Sequence, residues 1–277
     1  MPYITVGQEN SGPIDIYYED HGAGTPIVLI HGYPLNGHSW EKQERVLLKA
    51  GYRVITYDRR GFGASSQPVV GYDYDTFTAD LTVLVEQLDL RDMILAGFSM
   101  GTGEVTRYLG TVGSDRVRKA VLIAPIPPFL LKTADNPDGV EQSVFDDIMA
   151  AIVADRPAYL KSFLDNFYNV DKLGGTRISE PAWQVSFNVA AGASATATLA
   201  CVPAWLTDFR RDLPNIDVPT LVVQGDQDRI LPIDATGRRL PDLIKDVRFI
   251  EVAGGPHNIG WTHAEEVSKA LLDFVTE

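Results

Sequence analysis

Residues 93–101 read Met93-Ile94-Leu95-Ala96-Gly97-Phe98-Ser99-Met100-Gly101, and Thr102-Gly103-Glu104-Val105 follows directly. The four apolar residues that open the stretch have the length and character of a strand buried on both faces. Glycines two before and two after Ser99 let the backbone fold into a tight, strained turn that lifts the serine Oγ clear of that strand. A helix beginning just beyond would aim its free N–H groups and partial positive charge at any oxyanion formed beside the serine. The expectation is a strand, a serine at the tip of a sharp turn, then a helix.

Outward from this turn, short apolar β-branched runs alternate with helical periods. Residues 3–6 and 14–18 read as a leading pair of strands, followed by Gly22 and Gly24 in a turn. Residues 27–30, 53–57, 93–96, 120–123, 220–223 and 247–252 read as strands buried on both faces. Helical stretches fall at 39–50, 74–88, 102–109, 235–243 and 264–275. That alternation predicts an α/β fold, a mostly parallel eight-stranded sheet with helices on both sides. The rhythm breaks after Pro125-Ile126-Pro127-Pro128, and Asn136-Pro137-Asp138-Gly139 is a strong turn signal. Helices are expected there at 140–154, 157–168, 180–191 and 194–202, with no convincing strand. The expected organisation is a core of residues 1–125 and 215–277 and a helical cap at 126–214. The cap is rich in large apolar residues, most needed to pack it on the sheet and a few expected to shape a pocket over the serine.

The 277 residues, 45% hydrophobic and 22% charged, suffice for one large domain with an insertion. A net charge of −13 argues against binding nucleic acid or an anionic membrane surface. The opening Met1-Pro2-Tyr3-Ile4-Thr5-Val6 lacks the charged-then-apolar pattern of a signal segment, and no apolar run nears the ~20 residues of a membrane helix. A soluble, cytoplasmic protein is expected. The single cysteine, Cys201, lies in an apolar run and reads as a small buried hydrophobe.

A serine hydroxyl becomes a nucleophile only when a base takes its proton, so a histidine held by a carboxylate is required. Of the five histidines, His21 and His38 read as surface residues, and His263 starts the last helix, where a capping or surface role fits. His31 belongs to the loop Leu29-Ile30-His31-Gly32-Tyr33-Pro34. His257, in Ala253-Gly254-Gly255-Pro256-His257-Asn258, follows the last strand and is the expected base. Gly225-Asp226-Gln227-Asp228 follows another strand and offers two carboxylates. Asp226 falls in the immediate turn, where aspartate commonly bonds its own backbone, so Asp228 is the expected partner of His257. An oxyanion hole needs two backbone N–H groups; Met100, after the serine, and Tyr33 are the expected donors, since Gly32 permits close approach and Pro34 has no N–H. Phe129, Trp205 and Ile230 are expected to line the pocket, although each could equally be core.

With these residues in view, the chain resembles the cofactor-free, non-heme haloperoxidase or perhydrolase branch of the α/β-hydrolase family, which also holds esterases and a γ-lactamase. The resemblance runs essentially end to end. It is carried by His31-Gly32-Tyr33-Pro34, Tyr57-Asp58-Arg59-Arg60-Gly61-Phe62-Gly63, Gly97-Phe98-Ser99-Met100-Gly101 and Pro125-Ile126-Pro127-Pro128. Asn136-Pro137-Asp138-Gly139-Val140, Thr207-Asp208-Phe209-Arg210, Leu231-Pro232-Ile233-Asp234 and Pro256-His257 extend it. It implies the α/β-hydrolase fold, a Ser99, Asp228, His257 triad, an oxyanion hole of the Tyr33 and Met100 amides, and a tendency to form homo-oligomers. Two departures stand out. The family often has histidine where Gln224 precedes the glycine of the acid loop, and glycine where Asn258 follows the catalytic histidine. Asparagine's tolerance of positive φ would let that loop keep its course.

The implied activity is hydrolysis of small apolar esters, lactones or lactams through an acyl-enzyme. Hydrogen peroxide can replace water, releasing a peracid that oxidises halide. Pro34 resembles the branch in which that perhydrolysis is appreciable. No metal-ligand motif and no phosphate-cradling loop is present, so neither metal nor cofactor is expected. Dehalogenases and epoxide hydrolases of the same fold need an aspartate nucleophile, which Ser99 excludes. A dedicated γ-lactamase on the same residues stays open, as does a binding protein that captures a small ligand without turnover.

Overall fold

The strands form where β-branched and apolar residues run unbroken between turn residues. In the computed structural model, which describes residues 2–277, they are β1 (Tyr3–Glu9), β2 (Gly12–Gly22), β3 (Pro26–Ile30) and β4 (Arg53–Tyr57), then β5 (Met93–Phe98), β6 (Val117–Ile123), β7 (Thr220–Gly225) and β8 (Val247–Val252). They make one eight-stranded sheet in the order β1-β2-β4-β3-β5-β6-β7-β8. β1 and β2 are antiparallel additions at one edge, and every pairing from β4 to β8 is parallel.

Each parallel strand is apolar on both faces because both are covered. Val28, Ile30, Ile55, Leu95, Leu122 and Val222 join one buried cluster with Phe77 and Leu81 of α2 (Tyr74–Gln87) and Val105 of α3 (Met100–Thr111). Their strand neighbours Ile27, Leu29, Val54, Ile94, Val121 and Val223 join the other with Leu47 of α1 (Glu41–Lys49) and Val267 and Leu271 of α9 (Ala264–Thr276). This alternation is the period of two along a strand, and fully burying each such side chain is worth about 1.5–3 kcal/mol.

Between β6 and β7 lie only helices and isolated bridges: α4 (Gln142–Phe167), α5 (Val170–Leu173), α6 (Glu180–Gly192), α7 (Ala195–Ala204) and a 3₁₀ turn, Leu213–Asn215. α4 bends at Asp155 (φ −158°, ψ 88°), two residues before Pro157, where the sequence separates two helices. Asp155 Oδ1 accepts from the Ala158 amide at 3.0 Å and so caps the second half. The helix expected at 235–243 is instead a short 3₁₀ turn, Gly237–Asp242. Pro241 lies inside it and can neither donate an N–H nor tolerate the carbonyl of an α-helical turn before it. Two one-turn helices, α5 and α8 (Ile259–Thr262), carry too few residues to show a period. Among the described residues no single helix is long and apolar enough to cross a membrane.

β3 stands between β4 and β5, so the chain leaves it toward one side of the sheet and returns on the other. The carboxyl ends of β3 and β5 therefore meet at the switch point, where open α/β sheets bind ligands.

Candidate active site

Ser99 follows β5 with φ 52° and ψ −119°, a backbone state that costs about 1–3 kcal/mol for a residue with a side chain. Its surroundings hold it there. The Ser99 amide donates to the Ile123 carbonyl at 2.8 Å, while its own carbonyl accepts from the Thr102 amide at 2.9 Å and the Thr102 hydroxyl at 2.6 Å. The flanking glycines are required by contact. A Cβ on Gly97 would lie 2.5 Å from the Gly101 backbone, and one on Gly101 would lie 2.3 Å from the Ile30 carbonyl oxygen.

His257 is fully buried in the loop after β8, its ring packed against those of Phe98 and Phe167, with centroids 5.3 and 5.0 Å away. Its Nε2 lies 2.8 Å from Ser99 Oγ, and its Nδ1 lies 2.8 Å from Asp228 Oδ2. With Nδ1–H donating to the carboxylate, Nε2 is left to accept the serine proton. Asp228 Oδ1 accepts from the amides of Ile230 and Leu231, both at 2.9 Å, and its side chain is fully buried. Asp226 is engaged elsewhere: its Oδ1 accepts from the Gly254 amide at 2.7 Å and ties the acid loop to the histidine loop.

The loop after β3 presses against the serine. A Cβ on Gly32 would lie 2.9 Å from Ser99 Cβ, which leaves Tyr33 beside that serine. Among the described residues no acceptor takes the Tyr33 or Met100 N–H. His31 fixes this loop from below. Its Nδ1 lies 2.9 Å from the Gly32 carbonyl and its Nε2 accepts from the Arg59 amide at 2.9 Å. Burial, aided by the Arg59 charge, holds His31 well below the ordinary imidazole range, so it stays neutral. Arg59 also donates to the His31 carbonyl at 2.8 Å and pairs with Glu104 of α3, which in turn accepts from the Tyr57 hydroxyl.

Ser99 opens on a cavity of about 440 Å3 walled by Tyr33, Ile126, Leu130, Trp205, Ile230 and Leu231 and by both halves of α4. Trp205 and Ile230 stand where they were expected; Trp205 meets the Tyr33 ring edge-on at 4.8 Å. Phe129 does not line the cavity. It is buried beneath the Arg210 guanidinium, 4.9 Å from its ring, and Ile126 and Leu130 of the same segment take the wall positions. Along α4, Val144, Phe145, Ile148 and Ala151, then Tyr159, Ser162, Phe163 and Asn166, line it; Val140 and two charged residues, Asp147 and Arg229, complete the lining. The spacings of three and four along α4 are the stripe one helix face presents, the signal by which its lining residues could have been assigned from sequence.

Two further residues, His263 and Asn258, differ from expectation. His263 is buried, not a surface group, and its side chain makes no cap bond; Nδ1 lies 2.9 Å from the Thr262 hydroxyl. Asn258 keeps a negative φ of −87°. Its place is explained by hydrogen bonds: Oδ1 caps α8 through the Trp261 amide at 3.1 Å, and Nδ2 donates to the Tyr168 hydroxyl at 3.2 Å. Gln224 donates to Asp228 Oδ2 at 3.2 Å. Cys201 is fully buried as expected, and burial pushes its thiol up to about 12.

Residues 25–264 match the sequence pattern of the alpha/beta hydrolase fold family. A Synechocystis sp. protein provisionally named a non-heme chloroperoxidase is 70% identical over 99% of this chain and 100% of its own length. An Acinetobacter calcoaceticus protein named a bifunctional esterase/perhydrolase is 35% identical over 99% of each chain. The crystal structure of a bromoperoxidase from Bacillus anthracis superposes with a TM-score of 0.95 at 45% identity, covering 100% of this chain and 99% of that one. The chain belongs to the α/β-hydrolase family and, within it, to the group of non-heme haloperoxidases and esterase/perhydrolases.

Proposed function

We propose that the protein is a serine hydrolase of small apolar carboxylic esters, working through an acyl-enzyme that either water or hydrogen peroxide can resolve. The observation that carries this reading is the continuous chain Ser99 Oγ–His257–Asp228, both links 2.8 Å, opening on an apolar cavity of about 440 Å3. Ser99 Oγ attacks the ester carbonyl carbon as His257 Nε2 takes its proton, and Asp228 stabilises the imidazolium. The Tyr33 and Met100 amides, free of other acceptors, hold the tetrahedral oxyanion, helped by the positive end of α3. Nε2–H then protonates the departing alkoxide, leaving the acyl group on Ser99. Water, deprotonated by His257, releases the acid. Hydrogen peroxide in the same position releases a peracid, which oxidises halide to hypohalite in solution and is itself reduced to the acid. The esterase/perhydrolase name of the Acinetobacter relative supports the peroxide branch.

Hydrolysis of a short-chain p-nitrophenyl ester by the wild type and by Ser99→Ala tests the proposal. Turnover in the wild type and at least a 10³-fold loss in the variant are expected, an order of magnitude set by triad removal elsewhere. Turnover retained by Ser99→Ala rejects the mechanism, and binding of the ester without turnover by the wild type rejects the activity.

A further inference from the structure

Gln224 stands near the carboxyl end of β7 and is completely buried. Its Nε2 donates to Asp228 Oδ2 at 3.2 Å and to the Leu231 carbonyl at 3.0 Å. Its Oε1 accepts from the Thr236 hydroxyl at 3.1 Å and the Gly237 amide at 3.0 Å. Both donor hydrogens and both acceptor sites are therefore used. A flipped amide would set its oxygen against two acceptors and its NH₂ against the Gly237 N–H, so the surroundings dictate the orientation.

We propose that Gln224 is a positioning residue for the triad acid, an inference that rests on the Ser99–His257–Asp228 reading above. Asp228 Oδ2, the oxygen beside His257 Nδ1, receives a second N–H from Gln224, while the Ile230 and Leu231 amides hold Oδ1. The carboxylate thus meets four N–H groups that fix its rotation. Three of them carry no charge that could compete with the imidazolium for it. Because the same amide clamps Leu231 and Gly237, it couples the acid's position to the 3₁₀ turn beyond.

Among the described residues, His257 alone faces Asp228 as a titratable group at hydrogen-bond distance. The charged neighbours turn to partners of their own. Arg229 pairs with Asp171 and Asp226 takes the Gly254 amide; Arg238 pairs with Asp234 and Glu251, and Arg239 bonds Asn136. A change at Gln224 therefore reaches the rate through Asp228.

The test is ester kinetics of Gln224→Leu and Gln224→Glu from about pH 5 to pH 9, with thermal unfolding of each and Asp228→Asn alongside. Gln224→Leu removes the donor, and kcat falls about tenfold or more while KM stays within about twofold, as expected for a bond to a charged acceptor. Gln224→Glu keeps the shape but sets an acceptor against Asp228 Oδ2. The two carboxyls then share one proton, which the glutamic acid donates to Asp228 Oδ2 in place of the amide's first N–H, while the Leu231 carbonyl loses the second. Its kcat/KM relative to wild type therefore declines as pH rises and that proton is lost. A merely structural role lowers the unfolding temperature and leaves that ratio flat with pH. Should Gln224→Leu fail to fold, the isosteric Gln224→Glu decides. Wild-type kcat in Gln224→Leu, or a pH-independent ratio in Gln224→Glu, overturns the proposal. If Asp228→Asn keeps full activity, the triad reading itself has failed; if Asp228→Asn is inactive and the Gln224 variants behave as wild type, only this inference falls.

Discussion

Asp226 and Asp228 are two residues apart in one loop, yet they are built for different work. Asp226 spends its carboxylate on the Gly254 amide, and Asp228 spends its own on His257 and two amides of its loop. Asp228→Asn replaces the acceptor beside Nδ1 with an amide and lets His257 adopt the wrong tautomer, so kcat should fall by about 10⁴. Asp226→Asn keeps an oxygen for Gly254, so kcat should stay within about tenfold and stability should drop by no more than about 1 kcal/mol. Steady-state kinetics on both variants check the ranking, and the reverse order would assign the acid to Asp226. At this scale the sequence was most legible where chain order and loop position constrain a residue, as for Ser99, His257 and Asp228. It was least legible where a distant partner decides. Phe129 lies under Arg210, 81 positions away, and Ile126 and Leu130 line the cavity in its place.

At the scale of elements, burial on both faces leaves each parallel strand an unbroken apolar run that composition reveals. The strands expected at 53–57 and 247–252 match β4 and β8 end to end. The others gain residues that hydrogen-bond in the ladder without being apolar, such as Gly97 in β5 and Gln224 in β7. What no local pattern discloses is how elements brace one another. Arg59, after β4, and Glu104, on α3, are both buried and join the loop after β3 to the helix that follows Ser99. Burial is the larger influence on Glu104 and raises its carboxyl pKa despite the nearby Arg59. Glu104→Leu leaves the guanidinium buried and unpaired, and urea denaturation should show a loss of about 3–5 kcal/mol. Unchanged stability would mean that α3 and the loop are held by packing alone.

Across the whole molecule, the neutral state of His31 links stability to pH. In the unfolded chain its imidazole takes a proton near pH 6.5, whereas burial and Arg59 hold it well below that when folded. Unfolding therefore takes up a proton below about pH 6.5, so this histidine's contribution to stability falls with falling pH until the folded pKa is reached. The slope is at most about 1.4 kcal/mol per pH unit. His263, also lowered mainly by burial, acts in the same direction. Urea midpoints measured between about pH 7.5 and 5.5 should decline on this account, and a rise would show that other groups dominate.

The sheet brings the ends of β3, β5, β7 and β8 to one side, where four separate loops meet around Ser99, and that convergence is the basis of the proposed covalent mechanism. It is tested most directly by mixing the protein with p-nitrophenyl acetate, quenching within the first turnovers and determining the intact mass and the site of modification. One acetyl group is expected on Ser99, decaying as acetate is released and absent from Ser99→Ala. Steady release of p-nitrophenol with no acetyl-enzyme at any time, or an acetyl group that forms equally on Ser99→Ala, would contradict it.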